Sequence, residues 1–243
     1  MAETMRLDKF ISSQLPELSR KDVRELCRKG FVTVNGSVVK KSEEKINPES
    51  DVICADGKEI CYSEHIYIMM NKPQGVVCST RDGLSPTVIS LVPPQWQRKG
   101  LFPAGRLDKD TEGFVLLTDD GELSHRILSP KSHVPKKYYA ELEKPVSESY
   151  IEAFSSGMEI DGGDVCLPAQ LELIPDKPSA CYVTLHEGMF HQIKRMFSAL
   201  GNKVVYLKRI SMGGLSLDEN LALGECMLIL YKDVERFLLR KGF

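Results

Sequence analysis

The sequence has no long hydrophobic run, since no apolar stretch approaches the roughly 20 residues that a membrane-spanning helix needs. The first residues, from Met1 to Arg6, also lack the apolar core of a signal peptide. Hydrophobic residues make up 42% of the 243-residue chain and charged residues 27%, as in a soluble globular protein. We therefore predict a cytoplasmic protein with no membrane partner, built as one large domain or a large and a small one.

Cysteines arranged for metal or redox chemistry are also missing. The seven cysteines are odd in number and scattered, and no Cys-x-x-Cys pair occurs, which argues against a zinc ribbon or a redox pair. His186, Glu187 and His191 invite comparison with a metalloprotease motif. In that motif the second histidine follows the first after four residues, and here it follows after five, so the imidazoles would not share a helix face. We predict no metal site and no cofactor.

The chain also lacks an excess of positive charge. The chain has 32 Lys and Arg residues against 34 Asp and Glu residues, which gives a formal net charge of −2. Phosphate neutralisation normally supplies most of the non-specific affinity of a nucleic-acid-binding protein, so this balance predicts weak indiscriminate binding. A basic face on such a chain is still compatible with binding to a structured RNA.

The first 60 residues have the pattern of a self-contained unit. Apolar residues at helical spacing predict a first helix over residues 7–15 that ends at Pro16. Ser19 is the predicted N-cap of a second helix, and Gly30 is placed to end it. Asn35-Gly36 between two β-branched runs is the strongest short signal for a β-hairpin. The predicted order is helix, helix, hairpin.

Basic residues recur along this unit. Arg20, Arg24 and Arg28 repeat every fourth residue, and charge pattern alone favours a solvated helix face. Two helices, an Asn-Gly hairpin and a basic edge together resemble the alpha-L RNA-binding module, first known from a small-subunit ribosomal protein. The resemblance implies that Lys and Arg side chains grip phosphates and position RNA without reading its sequence. The implied RNA-binding residues are Arg6, Lys9, Arg20, Lys21, Arg24, Arg28, Lys29, Lys40 and Lys41.

Residues 105–113 organise the rest of the chain. This polar, Gly-bounded segment precedes the apolar run Phe-Val-Leu-Leu at residues 114–117, which predicts a buried strand. The segment then forms a loop at the strand's edge and holds Asp108 against an apolar floor. Such a carboxylate can have its ionisation and nucleophilicity set by its surroundings, as covalent catalysis requires. Residue type alone would make Asp108 an ordinary turn residue, because Asp, Thr and Gly crowd turns.

Four motifs in order favour catalysis over a simple turn. Gly-Arg-Leu-Asp-x-Asp-Thr-x-Gly resembles the active-site signature of pseudouridine synthases of the RsuA type, whose aspartate falls on Asp108. Asn-Lys-Pro-x-Gly at residues 71–75 resembles the family's first motif, and Lys-x-Tyr resembles its tyrosine motif, with the functional ring on Tyr138. Glu-Gly-x-x-His-Gln-Ile-Lys-Arg-Met at residues 187–196 resembles its third motif, whose basic residue falls on Lys194.

The resemblance implies a role for each side chain. Lys194 would pair with Asp108 and favour its ionised form, while Tyr138 would stack on the uracil and help to remove the proton of carbon 5. Asp108 would attack the sugar, attack the ring or abstract a sugar proton, and these three alternatives stay open. Separately from the resemblance, we hypothesise that Arg106, next to the nucleophile, helps to hold the space that the extruded base vacates. The implied substrate-binding residues are Lys72, Arg106, His191, Gln192 and Arg195.

The resemblance also implies fold and activity. The expected class is α+β, with a small helix-helix-hairpin RNA-binding domain at residues 1–60. A pseudouridine synthase domain with a mixed, largely antiparallel sheet is expected at residues 65–243. The implied reaction is the conversion of uridine to pseudouridine in 16S ribosomal RNA, at the family's uridine-516 site. The implied partner is this RNA, free or within an assembling small subunit, and the expected state is a monomer.

Two other functions are compatible with the sequence. One is the same chemistry on 23S ribosomal RNA, although residues 117–130 look more like the small-subunit branch. The other is a non-catalytic RNA-binding or ribosome-assembly factor, against which the retained aspartate, tyrosine and lysine argue. Relatives often carry an arginine after the turn at Gly224, where this chain has Cys226-Met227, so the role of the C-terminal strand stays open. A final amphipathic helix is expected over residues 232–240.

Overall fold

The computed structural model describes residues 4–15 and 17–239, and for Pro130 and residues 237–239 it describes the backbone only. The chain divides into two compact units. The first consists of Met1–Ile66 and Val92–Leu101, and the second consists of Tyr67–Leu91 and Phe102–Phe243. The division therefore falls between Ile66 and Tyr67, with one later segment belonging to the first unit.

The first unit contains two α-helices and six short strands within the described residues. In chain order they are β1 (Met5–Arg6), α1 (Leu7–Gln14), α2 (Arg20–Lys29), β2 (Val32–Val34), β3 (Ser37–Val38), β4 (Lys45–Ile46), β5 (Ile53–Ala55) and β6 (Lys58–Glu59). β1 pairs antiparallel with β4, and the other strands form a sheet of order β3-β2-β5-β6. Leu7, Phe10 and Ile11 of α1 pack with Val23 and Cys27 of α2 in one core. This packing stabilises two helices that would be marginal alone.

Local signals shape this unit as predicted. The Ser19 hydroxyl accepts a hydrogen bond from the Asp22 N–H, and the Asp22 carboxylate accepts one from the Ser19 N–H, which completes a capping box. Gly30 ends α2 in the left-handed conformation, at φ +86°. Asn35 and Gly36 have φ values of 50° and 78°, as the tight turn between β2 and β3 requires. The predicted hairpin and second helix are confirmed.

The second unit contains four α-helices and nine strands within the described residues. In chain order they are β7 (Tyr67–Lys72), β8 (Phe102–Pro103), β9 (Glu112–Thr118), α3 (Gly121–Leu128), β10 (Lys136–Leu142), α4 (Ser149–Ser155), β11 (Gln170–Leu173), β12 (Ala180–Leu185), α5 (Gln192–Ala199), β13 (Val204–Met212), β14 (Leu215–Ser216), β15 (Cys226–Leu228) and α6 (Tyr231–Leu239). The strands form one sheet of order β11-β12-β10-β13-β9-β7-β15, with β14 paired to β13 and β8 paired to β9.

The sheet is mixed and largely antiparallel. In the described part of the chain, β9 and β13 form its one parallel pair, and the remaining pairs are antiparallel. The predicted α+β class is thereby confirmed. All seven residues of β9 are buried, so the predicted strand at residues 114–117 is the centre of a longer buried one.

Helix ends in the second unit follow the sequence signals. The Asp120 carboxylate accepts a hydrogen bond from the Leu123 N–H and caps α3. The predicted helix ends at Pro16 and Arg240 lie outside the described residues. Within the described residues, α1 ends at Gln14. None of the described helices combines the length and the apolar character needed to cross a membrane.

β13 was not predicted from the sequence, although it is nine residues long. Adjacent Lys208 and Arg209 interrupt the alternation of apolar and polar residues by which a half-buried strand is recognised. The strand matters because a row of paired residues crosses the sheet through it. The row is Val183, Tyr138, Arg209, Gly113 and Lys72.

Candidate active site

Asp108 lies on the loop that delivers the chain into β9. The Thr111 N–H donates to the Asp108 carbonyl at 3.1 Å and closes a turn within this loop. Gly113, at the start of β9, has φ +101° and lies against the backbone of Arg209, where a Cβ would come within 2.2 Å of the Arg209 carbonyl oxygen. Only glycine allows this contact without strain. The close approach of β9 and β13 therefore fixes the base of the Asp108 loop.

Lys72 hydrogen-bonds to the backbone of the same loop. Its side chain is fully buried, and its ammonium donates to the carbonyls of Asp108 at 3.0 Å and Thr111 at 2.7 Å. It also donates to the carbonyls of Pro73 at 3.0 Å and Lys109 at 3.4 Å. Burial lowers the pKa of Lys72 below its ordinary value. This geometry favours support of the loop over the substrate contact that the resemblance implies for Lys72.

Lys194 binds the Asp108 carboxylate from α5. Its ammonium lies 3.1 Å from Asp108 Oδ2 and 2.6 Å from Asp110 Oδ1, so two carboxylates share one cation. Burial acts to raise the pKa of Asp110, but the hydrogen bond and charge of Lys194 outweigh it and the pKa lies below its ordinary value. His191 approaches the other oxygen of Asp108, with Nε2 at 3.6 Å from Oδ1. Asp108, Lys194 and His191 are thus brought together.

Tyr138 lies in the same row of the sheet as Gly113. It pairs with Arg209 on β13, and Arg209 pairs with Gly113 on β9. Its side chain is 8% exposed, so most of the ring is covered by the protein. Neighbouring residues of a strand point to opposite faces, so Tyr139 faces away from it. The Tyr139 hydroxyl donates to Glu141 at 2.7 Å.

Arg209 is a buried residue of this region that sequence reasoning missed. It is 2% exposed, and its Nε donates to the Phe114 carbonyl at 2.7 Å. Its Nη2 is buried without a hydrogen-bond partner among the described residues. A charged residue inside an apolar strand signals a special environment because a buried guanidinium needs hydrogen bonds. That signal was available in the sequence between Leu207 and Met212.

Gln192 and Arg195 bind other protein groups. The Gln192 amide donates to Glu187 Oε1 at 2.6 Å and accepts from the Met189 N–H at 3.0 Å. Arg195 donates to the Asp161 carboxylate at 2.5 Å and to Asp164 at 2.8 Å. These contacts hold the segment that precedes α5. They favour a positioning role over the substrate contact implied for both residues.

Arg106 and His191 remain accessible beside Asp108. Arg106 is exposed two residues before it. His191 has a positive φ of 50° at the N-cap of α5, and its ring stacks on Phe190 with 3.8 Å between centroids and 16° between planes. Of the implied substrate-binding residues, these two have the geometry to reach a nucleotide.

The predicted RNA-binding residues of the first unit are all exposed. Two of them are paired: Arg6 with Asp8 at 2.7 Å and Arg28 with Glu25 at 2.6 Å. The nine exposed residues are Arg6, Lys9, Arg20, Lys21, Arg24, Arg28, Lys29, Lys40 and Lys41. Within the described residues, no three His, Cys, Asp or Glu side chains gather in a way that could hold a metal ion.

Comparison with known proteins defines the class. The family model described as RNA pseudouridylate synthase matches residues 66–199, and the model described as S4 domain matches residues 5–53. The chain belongs to the RNA pseudouridylate synthase family. It is therefore an enzyme that isomerises uridine to pseudouridine in RNA, and it carries an RNA-binding S4 domain. The resemblance drawn from the sequence motifs is confirmed.

Relatives match this chain over nearly its whole length. It is 46% identical over 225 residues to the ribosomal small subunit pseudouridine synthase A of Escherichia coli (strain K12), covering 91% of this chain and 94% of that protein. It is 46% identical over 223 residues to the uncharacterized RNA pseudouridine synthase YtzG of Bacillus subtilis (strain 168), covering 91% of this chain and 93% of that protein. A crystal structure of pseudouridylate synthase matches with a TM-score of 0.67 at 40% identity and covers 96% and 99% of the two chains.

Proposed function

We propose that this enzyme forms pseudouridine in 16S ribosomal RNA, at the uridine-516 site of its family, and that Asp108 starts the reaction. Relatives between 42% and 46% identical bear the name ribosomal small subunit pseudouridine synthase A, which supports small-subunit RNA as the substrate. The observation that carries the catalytic assignment is the placement of the Asp108 carboxylate. It lies 3.1 Å from the Lys194 ammonium, on a loop held by Lys72.

The reaction needs a charged oxygen directed at the nucleotide. It breaks the N-glycosidic bond of uridine and rejoins the ring through carbon 5, so bond breaking and bond making leave the redox state unchanged. Asp108 attacks the sugar, attacks the ring or takes a sugar proton, and in each case it acts as the ionised carboxylate. Lys194, 3.1 Å away, pairs with this carboxylate and holds it in position.

Tyr138 and Arg106 complete the proposed site. The uridine leaves its stack at a cost of a few kcal/mol, which is lowest where the base is already unpaired. Tyr138 then stacks on the uracil and helps to remove the carbon-5 proton. Arg106 is exposed beside Asp108, where its guanidinium can occupy the space that the base leaves.

The first unit supplies the proposed RNA grip. Its exposed Lys and Arg residues neutralise phosphates and set the position of the RNA, without reading its sequence. Because the chain as a whole has a net charge of −2, we infer that selectivity comes from the structure of the target. An assembling small subunit would provide such a target. The boundaries at residues 60 and 65, the monomeric state and the cytoplasmic location stay predictions.

Replacement of Asp108 tests the catalytic assignment. We expect Asp108→Asn to abolish pseudouridine formation while RNA affinity stays within about twofold, because the substitution removes the charge and keeps the shape. Asp176→Asn is the matched control, since Asp176 lies in an exposed turn at a positive φ that asparagine also tolerates. Equal activity of Asp108→Asn and wild type would falsify the assignment.

Mapping pseudouridines in ribosomal RNA tests the target. Cells that lack this protein should lose one pseudouridine in 16S RNA and regain it when the wild-type gene is restored. Loss of a 23S pseudouridine instead would replace the proposed substrate with the large-subunit alternative. Unchanged 16S and 23S maps would contradict a ribosomal RNA substrate for this enzyme.

A further inference from the structure

Phe190 is exposed to an unusual degree for an aromatic side chain. Its exposed fraction is 73%, the highest among the phenylalanines whose side chains the structure describes. One face of the ring stacks on the His191 imidazole, 3.8 Å away and nearly parallel. The opposite face therefore meets solvent. An aromatic ring held in this way presents a flat, apolar surface to anything that approaches.

The backbone beneath Phe190 is held in place. Arg195 donates to the Phe190 carbonyl at 3.3 Å, and its other donors bind Asp161 and Asp164. His191 has the left-handed φ of 50°, and Gln192 fixes the preceding turn through the Met189 N–H. These contacts fix the backbone at Phe190, and stacking on His191 sets the direction of the ring before any ligand arrives. Such preorganisation lowers the entropy that binding would otherwise lose.

The ring lies one imidazole away from the reacting carboxylate. His191 Nε2 is 3.6 Å from Asp108 Oδ1, and the same imidazole carries Phe190 on its face. Lys194 pairs with Asp108, and the exposed Arg106 precedes Asp108 by two residues in the chain. A flat aromatic face beside cations suits a nucleotide, which offers a base to stack and a phosphate to pair.

We propose that the outer face of Phe190 stacks on the nucleobase next to the target uridine and fixes the RNA while that uridine occupies the site. The proposal rests on the pseudouridine synthase activity and adds to it a contact with a second nucleotide. His191 serves as the rigid spacer between the stacked base and Asp108. Because stacking is tolerant of base identity, Phe190 positions the strand more than it reads its sequence.

A double-mutant cycle between protein and RNA tests this contact. The protein variant is Phe190→Leu, which keeps apolar area and removes the π-face. The RNA variants carry an abasic nucleotide on the 5′ or the 3′ side of the target. Each single change should lower kcat/KM by about tenfold through KM, as the loss of one stacked base does. At one flanking position the two changes together should cost no more than either alone.

Three comparisons sharpen the experiment. Phe190→Tyr keeps an aromatic face and should retain activity within about twofold. Val205→Ala removes an exposed apolar side chain elsewhere in the second unit and should leave kcat/KM unchanged. Thermal midpoints of all variants should match that of the wild type, because Phe190 is largely exposed.

Several outcomes would overturn the proposal. Losses that multiply at both flanking positions would show that Phe190 and the neighbouring bases act independently. Wild-type kinetics for Phe190→Leu, with or without a change in oligomeric state, would assign the exposed ring to a protein contact or to no contact. The cycle uses whichever ribosomal RNA the wild-type enzyme modifies, so an error in the proposed 16S target leaves it intact.

Discussion

At the residue scale, the site depends on how one ammonium is shared between two carboxylates. Lys194 lies closer to Asp110 than to Asp108, at 2.6 Å against 3.1 Å. Asp110 is the more exposed partner, so water screens its share of the interaction more strongly. The pair with Asp108 is less exposed, so water screens it less and the attraction between the two charges is stronger there.

Removal of the Lys194 charge should therefore impair catalysis more than RNA binding. We expect Lys194→Met to lower kcat by about 10- to 100-fold, the range of one charge-assisted hydrogen bond. Lys194→Arg keeps the charge and should recover part of the loss. Single-turnover rates of pseudouridine formation, measured with enzyme in excess over RNA, would show the effect. Lys203→Met is the control, because Lys203 is exposed. An unchanged rate for Lys194→Met would remove Lys194 from the site.

Lys136 makes the stability of the fold depend on pH, again through a single residue. It begins β10 two residues before Tyr138, and its ammonium donates to the Val134 carbonyl at 3.0 Å. Burial, with the nearby charge of Arg209, lowers the pKa of Lys136 to about 8. The unfolded chain keeps the ordinary value of 10.5 and so binds more protons between these limits. Stability contributed by this group therefore rises with pH from about 8 to 10.5.

Lys136→Met should remove this dependence. Below pH 8 the wild type carries the full burial penalty, so the variant's relative gain in unfolding free energy is largest there. The gain should shrink by up to about 1.4 kcal/mol per pH unit as pH rises towards 10. Urea unfolding of both proteins at pH 7 and pH 9.5 measures it. A difference that does not change with pH would contradict the lowered pKa of Lys136.

At the scale of elements, the parallel contact of β9 and β13 sets the Asp108 loop. At Gly113 a methyl group would meet the Arg209 carbonyl at 2.2 Å, and the φ of +101° excludes most other residues. We expect Gly113→Ala to destabilise the fold by at least about 3 kcal/mol. Gly121→Ala is the matched control, because Gly121 begins α3 with nothing within 4 Å of its Cβ position.

The two glycine variants should separate in denaturant unfolding. Gly121→Ala should be neutral or up to about 1 kcal/mol more stable, since alanine is the better helix former. Gly113→Ala should also lose pseudouridine formation, because the loop that carries Asp108 ends at the same backbone contact. Similar midpoints for the two variants would mean that β9 and β13 can separate at Gly113 without cost to the fold.

Elements with strong local signals were predictable, and those that depend on the sheet were not. Asn35-Gly36 and the Ser19 cap each act within a few residues, so the sequence contains their whole cause. β13 depends on partners from β9 and β10, and its central Lys208-Arg209 pair hides its strand character. Tertiary pairing overrode the local pattern there.

The candidate site shows the same division. The motifs indicated Asp108 and Lys194 as partners, and the two side chains lie 3.1 Å apart. The sequence could not show that Lys72 faces backbone carbonyls, because that depends on where the loop folds over β7. The charge of Arg209 within an apolar run was visible in the sequence, but its position beside Gly113 was not, because it exists only once the parallel pair forms.

At the scale of the whole molecule, a chain with a small net negative charge has many exposed basic residues near its start. The chain has 34 acidic residues against 32 basic ones, yet nine exposed Lys and Arg residues lie within the first 41 positions. Each phosphate contact releases bound counterions from the RNA, so affinity should fall steeply as salt rises. The slope of log affinity against log salt therefore reports the number of phosphate contacts, which a single affinity value does not.

Removal of two of these charges should flatten the salt dependence by a known amount. We expect Arg20→Gln/Arg24→Gln to reduce the slope of log affinity against log salt by about 1.4 on single-stranded contacts and about 1.8 on duplex contacts. Lys45→Gln/Lys58→Gln removes the same charge from exposed positions of the same unit outside the predicted surface, and its slope should match that of the wild type. Filter binding of a ribosomal RNA fragment across a range of salt measures both variants. Equal slopes for the two double variants would mean that RNA binding depends only on the net charge of the first unit. The basic residues of α2 would then not be the phosphate-binding residues.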